Sequence, residues 1–189
     1  MKNYIHLLLF FMIVIAFISC HKYPLDEHYY FAEGDKAWLV YKDGDTVLFK
    51  DSASSVVDTI KFGKMECGTS QFEVDDGNEH RHNVYREYCC FRDTSKKDST
   101  GYPGVYVCID AGSEGTLMNI FWGNTFNLYL QKNYLLLDSL RVNNLTYKKV
   151  YVLVGLDRAN PVQRLYLNKA NGVLRYENEN GKKWEIVNH

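Results

Sequence analysis

From residue 35 onward, short apolar runs alternate with turn dipeptides, which is the pattern of a chain built from β-hairpins. Asp-Gly or Asn-Gly pairs separate several of these runs. Glycine at the second position accepts the positive φ that a tight hairpin turn requires. The sequence therefore predicts four hairpin turns, at Asp43-Gly44, Asp76-Gly77, Asn171-Gly172 and Asn180-Gly181.

The first dipeptide, taken as a two-residue loop, predicts a hairpin with large apolar residues on both faces. Val40 then faces Val47, and Trp38 faces Phe49. Leu39 faces Leu48 on the other side. Because both faces are apolar, we expect this hairpin to be central or covered.

The third dipeptide predicts a half-buried hairpin with a separate inside and outside. Alternation along the two strands sorts their residues into an apolar and a polar face. The apolar face collects Leu165, Leu167, Leu174 and Tyr176, and the polar face collects Tyr166, Asn168, Arg175 and Glu177.

The remaining apolar runs predict further strands, for a total of about thirteen. The stretch Asp26–Glu33 is compatible with one or two helical turns, and Tyr134–Leu140 is ambiguous between helix and strand. The pattern predicts an all-β protein, an antiparallel meander closed as a barrel or folded into two packed sheets. The further strand candidates are Val56–Phe62, Met65–Val74, Val84–Arg92, Gly104–Asp110, Thr116–Phe121, Thr125–Gln131, Leu135–Arg141, Leu145–Val154 and Lys183–Val187.

The N-terminus is typical of an export signal followed by a lipid-attachment cysteine. Lys2 precedes an unbroken apolar run from Leu7 to Phe17, which is shorter than a transmembrane helix requires. The segment Phe17-Ile18-Ser19-Cys20 resembles the lipobox of bacterial lipoproteins, in which the cysteine is lipidated and becomes the first residue after cleavage. We therefore expect a signal peptide over residues 1–19, a lipidated Cys20 with a tether over 20–34, and a single β domain over 35–189.

Net charge and composition limit the kinds of binding partner that we expect. The 22 Lys and Arg residues nearly balance 23 Asp and Glu residues, for a formal net charge of −1. A nucleic-acid-binding protein shows a clustered basic excess instead, so no nucleic-acid partner is expected. The predicted partners are the membrane, through the lipid anchor, and an envelope protein or glycan.

Four cysteines follow Cys20, and paired cysteines are the rule in an exported protein. Folding Met65–Val74 back on the next strand brings Cys67 near Cys90, and the strand after that brings Cys108 near Cys89. We therefore favour Cys67–Cys90 with Cys89–Cys108. A one-residue shift in register gives Cys67–Cys89 with Cys90–Cys108, and buried free thiols are the third possibility.

The sequence contains none of the common catalytic or phosphate-binding motifs, and it predicts no catalytic residue and no cofactor. His80 and His82 are two residues apart, so on a strand both imidazoles point to the same side and are weak candidates for metal ligands. A metal site needs three or four ligands, and the stretch is better interpreted as an exposed loop with two histidines.

Asp-Ser or Asp-Thr pairs recur and resemble the O-glycosylation acceptor of exported Bacteroidota proteins. The alternative is that Thr and Ser are common in strands and turns, and that Asp often begins turns. The candidate acceptors are Thr46, Ser52, Thr59, Ser99 and Ser139.

The lipobox, the segment from Trp38 to Val47 and the segment from Leu165 to Tyr176 together resemble small lipoproteins of gut Bacteroidota. The resemblance implies an exported, lipid-anchored all-β domain at the outer membrane, on either its periplasmic or its outer face. It carries no activity. We expect a non-catalytic binding or structural module; the alternatives are a barrel that carries an apolar small molecule and, third, a hydrolase with an unrecognised site.

Replacing Cys20 with alanine tests the anchor. The variant should stay unprocessed or be released from the membrane, because the acylated sulfur would be missing and stable anchoring depends on the attached chains. Membrane fractionation and fatty-acid labelling measure this. A variant that fractionates and labels like the parent would contradict the lipoprotein interpretation.

Overall fold

The computed structural model describes residues 25–75, 77, 81–95, 104–130, 135–157 and 161–188. These residues form thirteen β-strands and one short 3-10 helix, Asp35–Trp38. No α-helix occurs within the described ranges. The prediction of an all-β protein is therefore confirmed.

The strands have the following bounds: β1 Glu27–Tyr29, β2 Thr46–Asp51, β3 Val57–Lys61, β4 Glu66–Asp75, β5 Arg81–Arg92, β6 Val105–Asp110, β7 Leu117–Trp122, β8 Thr125–Tyr129, β9 Leu136–Val142, β10 Leu145–Val154, β11 Val162–Asn168, β12 Gly172–Asn178 and β13 Lys183–Asn188.

The strands form two packed sheets, and the structure is not closed as a barrel. A mixed six-stranded sheet has the order β1-β5-β6-β7-β8, with β4 also paired to β5. An antiparallel seven-stranded sheet has the order β3-β2-β13-β12-β11-β10-β9. The sequence predicted a meander that is antiparallel throughout. The six-stranded sheet is mixed instead, and it contains β1, which was not predicted as a strand.

Most strands occur where alternation and turn dipeptides predicted them, and the hairpins next to Gly77 and Gly181 are present. Both glycines have positive φ, 80° and 73°, as the turns require. Asp76 lies outside the described residues. The ambiguous stretch Tyr134–Leu140 contains the start of β9, and the stretch Asp26–Glu33 contains the strand β1 rather than helical turns.

The predicted hairpin around Asp43-Gly44 is wrong, although the turn itself is present, with φ of 83° at Gly44. Residues 39–45 form no strand, because both edges of β2 are already occupied by β3 and β13. The segment is held in place instead by the side chain of Tyr41. Its ring stacks on Phe62, with 4.0 Å between ring centroids, and its hydroxyl accepts a hydrogen bond from the backbone N–H of Val173 at 2.9 Å.

The hairpin of β11 and β12 is present, but its predicted register and its separation into an inside and an outside are wrong. Its turn is three residues long and is closed by the Asn168 side chain, whose Oδ1 accepts from the Asn171 N–H at 2.8 Å. A β-bulge between Tyr166 and Leu167 shifts the pairing further. Residues on both faces are consequently buried, including Tyr166 and Glu177.

The described residues divide into two compact units. Unit 1 contains the described part of Met1–His28 and Gln71–Tyr85, the outer part of the β4–β5 hairpin. Within it, Asp26 Oδ1 accepts from the Asn83 N–H at 2.9 Å, and the ring of His28 stacks on Tyr85 at 4.6 Å. Unit 2 contains Tyr29–Ser70 and Arg86–His189.

The hydrophobic core of unit 2 fills the space between its sheet faces. Aromatic rings dominate it: Phe49 contacts Trp122 edge-to-face at 5.2 Å and Tyr176 at 5.3 Å. Alternate residues of β6, β7 and β8 supply the opposite face. The largest fully buried side chains are those of Phe49, Phe62, Phe126, Ile60, Ile109, Met118, Ile120, Leu128, Leu165, Leu167, Leu174 and Val107.

Two disulfides join three neighbouring strands: Cys67–Cys89 links β4 to β5, and Cys90–Cys108 links β5 to β6. The favoured pairing was wrong, and the pairing that differs from it by one residue in register is the one observed. The register of β5 on β6 places Cys90 opposite Cys108. The sequence segment Asp93–Pro103 connects these two strands. It is too long for a turn type to determine their register, so the register could not be predicted from the sequence.

Removing either bridge should lower the free energy of unfolding by about 3 kcal/mol, because each closes a loop of about twenty residues. The paired variants are Cys67→Ala with Cys89→Ala, and Cys90→Ala with Cys108→Ala. Denaturant unfolding measures the loss, and peptide mapping under non-reducing conditions tests the pairing. A Cys67–Cys90 peptide or four free thiols would contradict the structure.

Candidate functional site

Three residues singled out from sequence lie outside the described residues: Cys20, His80 and Ser99. Lipidation and glycosylation at these positions stay predictions. The other four candidate acceptors, Thr46, Ser52, Thr59 and Ser139, are exposed. Exposure is what a modifying enzyme requires.

His82 lies on β5 in unit 1, so its interpretation as part of an exposed loop was wrong, and its imidazole is close to one carboxylate. Its Nε2 is 3.7 Å from Glu27 Oε1, and its side chain is 10% exposed. Its Nδ1 is buried without a hydrogen-bond partner. No group of three or more potential metal ligands occurs among the described residues.

A groove of about 320 Å³ on unit 2 is lined by three lysines around two aromatic rings. We call it the lysine groove. It forms where the end of the 3-10 helix, the middle of β10 and the turn after β11 meet. Its lining residues are Trp38, Lys148, Lys149, Tyr151, Asn168, Lys169 and Ala170.

The floor of the lysine groove is aromatic. Trp38 is buried and contacts Tyr151 edge-to-face, with 5.1 Å between ring centroids. Lys169 Nζ lies 5.7 Å from the centroid of the Trp38 ring, within cation–π range. The groove thus combines an apolar base with a positive rim.

The three lysines are exposed, and none forms an ion pair with a described residue. Lys149 also has φ of 53°, in the left-handed region that side chains other than Gly, Asn and Asp seldom adopt. Such backbone strain costs about 1–3 kcal/mol and is concentrated at functional sites.

A second groove, of about 360 Å³, lies beside β11 and β12, and its charged lining residues are Arg164, Glu177 and Glu179. Glu177 carboxylate oxygens are 3.8 Å from Arg164 and 3.9 Å from Arg175. Arg175 also pairs with Glu185 and lies over the ring of Tyr166. Because its one lining cation, Arg164, is paired with Glu177, this groove has less to offer an anionic ligand than the lysine groove.

The outer face of the six-stranded sheet carries a flat set of polar and aromatic side chains. Tyr106 and Phe121 stack across β6 and β7 at 5.5 Å. Beside them Asn119 Nδ2 donates to Asp110 Oδ2 at 2.6 Å, and Asn127 Oδ1 is buried without a partner. Burial raises the pKa of Asp110, while the hydrogen bond from Asn119 opposes that rise.

Sequence reasoning missed the lysine groove, because its residues come from three distant parts of the chain. One local signal was present: Lys148 and Lys149 are adjacent within a strand, where simple alternation places only one of two neighbours in solvent. A bent or bulged strand exposes both.

Comparison with models of known protein families, with curated proteins and with solved structures found no match for this chain. No helix long and apolar enough to span a bilayer is present in the described part of the chain. The class of protein therefore rests on the structure: an all-β protein of two packed sheets with two disulfides, which indicates an extracytoplasmic location.

Replacing Asp110 with asparagine should raise stability more at pH 7 than at pH 3. The pKa of Asp110 is higher in the folded than in the unfolded protein, so the folded state holds the proton more tightly. The free energy of unfolding of the parent therefore falls as the pH rises through the acidic range and past the folded pKa. Asparagine is neutral at both pH values and keeps an acceptor for Asn119. Urea unfolding at the two pH values measures the difference.

The matched control is Asp138→Asn, an exposed aspartate on β9. It should give no stabilisation at pH 7 relative to pH 3. An Asp110→Asn variant that is stabilised equally at both pH values would contradict the assigned burial.

Proposed function

We propose that the protein is a lipid-anchored cell-envelope protein that binds a partner on its outer surface without catalysing a reaction. The observation that carries this proposal is the filled interior of unit 2. Its core side chains pack against one another, and the lysine groove and the groove beside β11 and β12 both open on the surface.

The cellular location has two lines of support. The two disulfides favour an oxidising compartment. The signal, the lipobox ending at Cys20 and the resemblance to Bacteroidota lipoproteins favour attachment to the outer membrane. Attachment by a lipid at the N-terminus leaves the β domain free to meet a ligand in the surrounding envelope.

The alternative of a carrier for an apolar small molecule has weaker support. A carrier barrel encloses its ligand in an apolar lumen. The sheets of this protein are packed rather than closed, and fully buried side chains such as Phe49 and Leu165 occupy the interior of unit 2.

Two measurements on the full-length protein test the proposal. Crosslinking in intact cells, followed by purification through a tag, should recover a defined envelope protein or glycan. Organic extraction of the purified protein should release no apolar molecule in equimolar amount. The Cys20→Ala variant, crosslinked in parallel, shows whether the interaction depends on anchoring.

Failure of either measurement is informative. An apolar compound recovered at a one-to-one ratio would favour the carrier. Absence of any crosslinked component, in cells where the protein is abundant and anchored, would contradict a surface-binding role.

A further inference from the structure

We infer that the lysine groove binds an acidic saccharide, a sugar chain that carries carboxylate or sulfate groups. This inference rests on the proposed surface-binding function and names the ligand class for one surface. It depends on the charges, the floor and the backbone of the groove, which are independent observations.

The charges of the lysine groove are uncompensated. Some cations of the molecule are paired: Lys182 Nζ is 3.1 Å from Asp51, and Arg175 pairs with Glu185. Lys148, Lys149 and Lys169 have no such carboxylate among the described residues. Three like charges around one groove repel one another, and an anion from outside relieves that repulsion.

The floor of the groove distinguishes a sugar from a bare anion. A pyranose ring has C–H groups on its faces and polar groups around its rim, so it can cover an aromatic floor while its acidic groups meet the lysines. The partly exposed ring of Tyr151, packed edge-to-face on the buried ring of Trp38, supplies such a floor. Inorganic sulfate would reach the lysines and leave the floor uncovered. The volume of about 320 Å³ is within the range of small-ligand sites.

That the cations of the groove are lysines, not arginines, also bears on the kind of ligand that it can bind. Lysine ammonium groups are compact point charges on flexible stems, whereas arginine presents a planar fork suited to bidentate recognition. Three lysines can follow acidic groups whose positions vary along a sugar chain. They suit carboxylates and sulfates alike, so the experiment has to separate these two sources of negative charge.

One buried side chain holds the two lysine-bearing segments together. Asn168 is 6% exposed, and its Nδ2 donates to the Lys148 carbonyl oxygen at 3.4 Å. Its Oδ1 accepts from the Asn171 N–H at 2.8 Å, which closes the turn that carries Lys169. Asn168 is therefore a positioning residue: both its polar groups are used within the protein, and it acts on the ligand through the lysines.

The test uses the full-length protein in detergent and isothermal titration calorimetry with defined probes. A galacturonate tetrasaccharide supplies carboxylates, a heparin tetrasaccharide adds sulfates, and maltotetraose is the neutral counterpart. We expect saturable binding of at least one acidic probe, weakened by salt. We expect no binding of maltotetraose and only weak binding of inorganic sulfate.

The main variant combines Lys148→Gln, Lys149→Gln and Lys169→Gln, and it should lower affinity for the acidic probe by about tenfold or more. The matched control combines Lys42→Gln, Lys50→Gln and Lys61→Gln, which removes the same charge from exposed lysines away from the groove. The control should bind like the parent. Thermal unfolding of both variants shows whether they are folded.

Two further variants test the floor and the positioning residue. Tyr151→Leu should weaken binding of the acidic sugar more than binding of inorganic sulfate. Asn168→Ala should weaken binding and also reduce the effect of Lys148→Gln, since the asparagine acts through that segment. A double-mutant cycle measures this coupling, which a general loss of stability would not produce.

Several outcomes would overturn the inference. The first is that neither acidic probe binds at a concentration of about 1 mM. The second is that maltotetraose binds with the same affinity as the acidic probes. The third is that the groove variant and the control variant lose the same affinity for the acidic probe. Tighter binding of a thymidine tetranucleotide than of both acidic sugars would assign the groove to nucleic acid. Anchoring is tested separately, because the Cys20→Ala protein should bind the acidic probe normally even if it leaves the membrane.

Discussion

The structure depends on the burial of aromatic rings between strands that are far apart in sequence. Phe49 of β2, Trp122 of β7 and Tyr176 of β12 meet in one cluster. Burial raises the pKa of the Tyr176 hydroxyl far above its ordinary value, so it stays neutral and donates to Asp58 Oδ2 at 3.0 Å. The cluster thus combines apolar contact area with a polar group that has a hydrogen-bond partner. It also determines how β2, β7 and β12 approach one another.

Local features of the sequence predicted the strands well, because alternation and Asp-Gly or Asn-Gly turns act over a few residues. The errors arose where distant parts of the chain compete for one strand edge. The segment around Val40 has the pattern of a strand, yet β13 occupies the edge of β2 that it would need. Likewise the register of Cys90 on Cys108 is set across a long loop, and a one-residue change moved both disulfides.

The surface features were harder to predict than the fold. The lysine groove combines the end of a 3-10 helix, a strand with a left-handed residue at Lys149 and a three-residue turn. The strand was predicted with its observed bounds, but the 3-10 helix, the left-handed residue and the length of the turn were not. Composition gave no indication of it, because the near balance of acidic and basic residues concealed a local cluster of lysines. Lys149 is an example, because no local pattern in the sequence signals its left-handed backbone.

The pairing of β2 with β13 has a consequence for the order of events during biosynthesis. The second strand in the chain acquires one of its two neighbours only when the last described strand has been made. The seven-stranded sheet therefore cannot be completed before β13 has been made. Until then β2 has an open edge, and strands with open edges are prone to pair with other chains.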